Sequence, residues 1–206
     1  MSADIPTNTK CVILDDKNVL SYGELPLGEL GDNQVLVKIH SAAINPSDVM
    51  FTQGLYAAEK TRPCVPGFEG SGVVVAGGSS EKSQTLVGKN VCFFAAGKEV
   101  KGSWGEFTNI DNESVFPLPE TLTLQEGATC LVNPLTVEGF VHTSKDKGYT
   151  TIVHTAAASA LGKMLVTACK NADITLINVV RREEQVETLK GLGAEHIINT
   201  SEDDWK

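Results

Sequence analysis

The chain has no paired cysteines: Cys11, Cys64, Cys92, Cys130 and Cys169 are scattered, and no CxxC occurs. An odd, dispersed set fits reduced thiols in a core and excludes a disulfide framework or a zinc knot as the organising device. The four histidines, His40, His142, His154 and His196, show no metal-ligand spacing. No apolar run is long enough to span a membrane. The opening MSADIPTNTKC lacks an apolar signal core and any Arg-rich amphipathic stretch. The expectation is a soluble, cytoplasmic protein; a mitochondrial address would need a presequence that is not seen. Basic charge is short, with 17 Lys and Arg against 26 Asp and Glu and a net charge of −9. That excludes nucleic acid as a default partner, though a local basic pair can still bind one phosphate. Internal repeats and low-complexity segments are absent too. What remains is ordinary for a globular protein: 206 residues, 41% hydrophobic and 21% charged, enough for one large domain or two small ones.

The first part reads as short strands between turns. KCVILD, QVLVKIHSAAI, GSGVVVAG, KNVCFFAA and GEFTNI are rich in Val, Ile and Phe and bounded by Gly, Pro, Asn and Asp. Their number and length predict a small, mostly antiparallel barrel or sandwich. GGSSEKSQTLVGK reads as a polar loop, and Thr123 before QEGA as a helix cap. From about residue 124 helices and strands alternate. LQEGATCLVN and PLTVEGFVHTSK read as helical, YTTIVHT as a buried strand, SALGKMLVTACKNA as a helix, ITLINVV as a strand, REEQVETLKGLGA as a helix and HIINT as a strand. That alternation predicts βαβ units and a parallel sheet. The predicted division is residues 1–124 and 125–206.

One turn carries chemistry. HTAAASALG, His154 to Gly162, links a strand to a helix as a phosphate-binding turn would, but with alanines in place of most glycines. Backbone N–H groups and the Ser159 hydroxyl can still meet a phosphate. Alone, the stretch fits a tightly packed strand-to-helix turn equally well. The next strand ends in Arg181-Arg182, with no carboxylate before Glu183. At that place an acid selects NAD, whereas a guanidinium matches the 2′-phosphate of NADPH. The competing reading is an exposed basic pair, which sits slightly unfavourably at a helix N-terminus.

NPSDVMFTQGLY, PGFEGSGVVV, GSWGEFTNI, NPLTVEGFV, TAAASALGKML and INVVRREEQVETLKGLGAEHIIN occur in that order. Together they resemble the medium-chain dehydrogenase/reductase superfamily over nearly the whole chain, with the zinc-free quinone reductases and 2-enoyl thioester reductases as the nearest branch. The resemblance implies a GroES-like barrel domain followed by an incomplete Rossmann domain. It implies an NADPH-dependent oxidoreductase that delivers hydride to an activated double bond or quinone: an enone, a quinone or an enoyl thioester. The zinc-dependent branch has a cysteine where this chain has Asn45, and Gly-His-Glu where it has Gly67-Phe68-Glu69; no metal is therefore expected. Glu69 becomes a structural group. By the same resemblance Tyr56, in Gln53-Gly54-Leu55-Tyr56, donates a hydroxyl to the developing enolate. Asn45, which joins Tyr56 in the catalytic set, and Asn133 flank the nicotinamide, and the amide and hydroxyl groups of Asn133 and Thr136 can hold its carboxamide. The cofactor-binding set is Asn133, Thr136, Ala158, Ser159, Ala160, Leu161, Gly162, Arg181 and Arg182. Tyr56 also fits a merely packing tyrosine, and Asn133 a helix cap before Pro134.

Against the family pattern, only one βαβαβ half of a dinucleotide fold is present. The expected strand order leaves the edge of Thr151 to His154 unpaired, a site for a second copy or a partner chain to cover. The alternative function is accordingly an inactive, reductase-derived structural or interaction subunit.

Overall fold

The computed structural model describes residues 5–202. The opening MSAD and the closing DDWK, on which the expectations about leader and chain end bear, lie outside them. Two compact units divide at Val132 and Asn133.

The first unit is antiparallel. Strands β1 (Asn8–Leu14) and β2 (Leu20–Pro26) form a hairpin, paired from Asn8 with Pro26 to Leu14 with Leu20. A five-stranded sheet follows, made from β3 (Gln34–Ala42), β4 (Glu69–Gly77), β5 (Asn90–Phe94), β6 (Phe107–Asp111) and β7 (Val115–Pro117) in the order β6-β3-β4-β5-β7. Isolated bridges tie Cys11 to Gly105 and Leu14 to Cys64. Val35, Val37, Val74, Val91, Phe93, Ile110 and Val115 fill one core. Leu14, Phe51, Cys64 and Phe68 fill a second. Helix α1 (Pro46–Thr52) starts at Asn45, with Pro46 in the first turn. The stretch read as a polar loop contains a short helix, α2 (Glu81–Leu86). Its signals are the Ser80 cap, which accepts from Ser83 N–H, and burial of Ser83 and Leu86. A single buried apolar side chain sets up no periodicity, so the pattern hid the helix. LQEGATCLVN is helical over α3 (Leu124–Gly127), where Thr123 and Glu126 close a capping box, then breaks until its last two residues, Val132 and Asn133, open the next helix.

The second unit holds α4 (Val132–Lys147), β8 (Thr151–Thr155), α5 (Ala160–Asn171), β9 (Thr175–Val180), α6 (Glu183–Gly191) and β10 (His196–Asn199). The three strands are parallel in the order β10-β9-β8. Parallel neighbours need crossovers, and α5 and α6 supply them. Leu165, Val166, Cys169, Leu176, Val180, Val186 and Leu189 are buried together, with Ile152 and Ile197 packed against them. Leu165, Val166 and Cys169 share one face of α5, as helical spacing requires. Among the described residues β8 pairs only with β9.

Candidate functional site

In the second unit the alanine turn leaves the end of β8. Ala156 takes φ of 52°, the left-handed region that a glycine would enter without strain. Ser159 caps α5, its Oγ accepting from Gly162 N–H at 3.1 Å. A Cβ on Gly162 would lie 2.1 Å from the Ala157 carbonyl oxygen, so this one retained glycine lets the helix start press onto the turn. The first N–H groups of the 12-residue α5, those of Ala160 and Leu161, have no intrahelical acceptor, and the helix dipole favours an anion there.

These parts open onto a cleft of about 530 Å³ lined by Thr155, Ala156, Ala158, Ser159, Val179, Val180, Arg181, Gln185 and Thr200. Among the described residues no carboxylate lines it. Small side chains leave the backbone exposed, hydroxyls of Thr155, Ser159 and Thr200 edge the space, and Arg181 supplies the cation. This donor set suits a phosphorylated nucleotide. Of the candidate residues, Ala158, Ser159 and Arg181 meet here; Ala160, Leu161 and Gly162 form the adjoining first turn of α5. Arg182 is the cap residue of α6 and lies outside the lining, with Glu183 and Glu184 in the first turn beside it. Those acids offset two cations at a helix start. Gln185 and Thr200 were not legible as site residues. Gln185 is placed by its Oε1 accepting from Arg181 N–H at 3.1 Å, and Thr200 by donating its backbone N–H to the Val180 carbonyl at 2.9 Å. Asn133 and Thr136 lie half-buried in the first turns of α4. Since α4 begins at Val132, Asn133 is already helical; the cap reading is corrected by one turn position.

In the first unit a polar group is buried beside aromatic rings. Asn45 is 7% exposed and donates Nδ2–H to Glu69 Oε1 at 2.7 Å. The other Glu69 oxygen accepts from Leu131 N–H at 3.2 Å and Val132 N–H at 3.0 Å. The Glu69 carboxylate is thus taken up by protein donors. Asp48 accepts from Asn45 N–H at 2.6 Å and from Phe68 N–H at 2.9 Å. Burial pushes its carboxyl up from the usual range, against the pull of those two N–H groups. Tyr56 is brought in by the end of α1. Gly54 takes φ of 73°, Leu55 N–H bonds back to Met50 O at 2.8 Å, and the chain reverses. The Tyr56 ring then packs on Phe68, centroids 5.6 Å apart, while Phe51 meets Phe68 edge-on at 5.4 Å. Arg62 stacks over Phe51 at 5.0 Å. Tyr56 stays 46% exposed. The structure therefore brings Asn45 and Tyr56 to one segment, Phe68-Glu69.

Residues 31–120 match the alcohol dehydrogenase GroES-like domain family. The mitochondrial enoyl-[acyl-carrier-protein] reductase of Caenorhabditis elegans is 36% identical over 178 residues, covering 82% of this chain and 50% of that protein. That of Xenopus tropicalis is 34% identical over 191 residues, covering 87% and 52%. The chain thus spans about half the length of these relatives. The crystal structure of a Mesorhizobium loti protein, provisionally assigned as an NADPH:quinone reductase, superposes with a TM-score of 0.88 at 33% identity, covering 98% of this chain and 63% of that one. The antiparallel sheet unit, the three-stranded parallel unit and these likenesses agree: the chain belongs to the medium-chain dehydrogenase/reductase superfamily, in the branch of the quinone and enoyl reductases.

Proposed function

We propose that this chain carries the NADPH-binding and oxyanion-stabilising parts of a reductase acting on an activated double bond or a quinone. The observation that carries the reading is the cleft that joins the alanine turn, the start of α5 and Arg181, with no carboxylate among its described lining residues. The turn amides and the Ser159 hydroxyl hold the pyrophosphate, and Arg181 takes the 2′-phosphate. Asn133 and Thr136 hold the nicotinamide carboxamide. When bound, NADPH supplies the hydride. Tyr56 donates its hydroxyl to the oxygen that becomes negative as hydride arrives at the substrate. Asn45, fixed by donating its Nδ2–H to Glu69, orients the reacting groups.

Calorimetric titration of the purified chain with NADPH, and with NADH in parallel, tests the reading. Binding should favour NADPH. Arg181→Ala combined with Arg182→Ala should weaken NADPH by about 100-fold while changing NADH by less than about threefold. Equal losses for the two nucleotides would remove the 2′-phosphate assignment. A folded chain that binds neither would favour a structural role for this reductase fold.

A further inference from the structure

Glu183 opens α6 directly after the arginine pair. An acid just past the end of the second strand of such a unit accepts from an adenosine 2′-hydroxyl, and it repels a 2′-phosphate. Glu183 is placed for that role by sequence, yet it does not line the cleft. Asn199, at the end of β10, accounts for its position. Asn199 is 7% exposed. Its Oδ1 accepts from Ser201 N–H at 3.2 Å and from the Ser201 hydroxyl at 2.9 Å. Those two donors fix the rotation of the amide, because only an oxygen can accept both. Nδ2 must then face the other way. There it donates to Glu183 Oε2 at 3.3 Å and to Glu202 Oε1 at 3.4 Å. One buried amide gathers two carboxylates next to the strand ends, where Thr200 N–H bonds to Val180 O.

We propose that Asn199 is a specificity-determining positioning residue, which ties the Glu183 carboxylate away from the adenosine end of the cleft and leaves Arg181 as the charge a 2′-phosphate meets. The inference rests on the NADPH reading above. It adds that the choice of nucleotide depends on a restrained acid as well as on a cation. Release of Glu183 would both repel NADPH and offer an acceptor to the 2′-hydroxyl of NADH.

Dissociation constants for NADPH and NADH, measured by calorimetry on wild type, Asn199→Ala and Asn199→Ala/Glu183→Gln, test this. Asn199→Ala should cut the NADPH-over-NADH preference about tenfold, and Glu183→Gln in that background should restore most of it. A purely structural Asn199 would lower both affinities together, with no rescue by Glu183→Gln; that outcome overturns the proposal. Asn199→Asp keeps the two acceptor bonds from Ser201 and removes the donor. It should show the same loss of preference if the alanine variant does not fold, and an unchanged preference in it overturns the proposal. A wild-type chain without NADPH preference overturns the parent reading and this one with it. That failure is distinct, since it appears before any substitution.

Discussion

Ala156 and Tyr56 show what single positions settle. Ala156 holds φ of 52° in the turn that leaves β8, a conformation that costs an L-residue about 1 kcal/mol. Ala156→Gly should therefore raise stability by about 0.5–1 kcal/mol, less the flexibility it adds to the unfolded chain, and urea unfolding would register it. The location of this turn was legible from the apolar run before it and the helix after it. The positive φ was not, because a run of alanines carries no sign of which one departs from ordinary backbone. Tyr56 was legible only through the Gln-Gly-Leu-Tyr segment. Its packing on Phe68 comes from a chain reversal at Gly54 that local sequence suggests but does not aim. Tyr56→Phe preserves that ring contact and deletes the hydroxyl. Steady-state rates with enone, quinone and enoyl thioester substrates should fall about 100-fold, with the Kd of NADPH unchanged. An unchanged rate would reduce Tyr56 to a packing residue.

Among the elements, the loop after β5 depends on a residue that sequence reasoning passed over. Lys60 is 7% exposed, and its ammonium donates to Ala95 O at 2.8 Å and Val100 O at 2.7 Å, clasping the start of the loop to its middle. Thr61 N–H adds a bond to Lys98 O at 3.0 Å. Burial pushes the Lys60 amine down to about 8 from an ordinary 10.5, with Cys64 and Asp48 nearby pulling it back up. Below pH 8 the folded chain carries the full cost of a buried ammonium. Between about 8 and 10.5 the unfolded chain holds the proton more tightly, so this group adds stability as pH rises. The gain is about 3 kcal/mol over that window. Lys60→Met removes it: the wild-type minus variant difference in unfolding free energy should climb through this range, and a flat difference would refute the burial argument. A lysine amid Glu59, Thr61 and Arg62 reads as surface. Only tertiary folding reveals the two carbonyls that accept from it. By contrast, the Thr123 cap was legible because capping is local chemistry.

For the whole molecule, strand-rich and alternating halves were legible because their hydrophobic periods differ, two residues in one and three to four in the other. The strands that escaped notice, β2 and β7, are those whose buried positions are few: LSYGELP is mostly exposed and VFP is only three residues long. The parallel order β10-β9-β8 followed from the connecting helices, while the cleft followed from nothing local. Its walls come from β8, β9 and the residues after β10, brought together only by the sheet. Asn45 and Glu69 are likewise well separated in sequence, and an isolated asparagine beside a proline suggests a cap long before it suggests a buried partner.

The cysteines have one further consequence. Cys11, Cys64, Cys92 and Cys169 are buried, and Cys130 alone of the five is partly open to solvent. Desolvation raises the Cys92 thiol to about 11 and raises the others as well, Cys130 included. A thiol-directed fluorophore at mildly alkaline pH would thus label the native chain chiefly at one place, without engineering. That place directly precedes Leu131 and Val132, whose N–H groups hold Glu69 and through it Asn45. The chain carries its own attachment point for an optical reporter beside the buried polar group of its first unit.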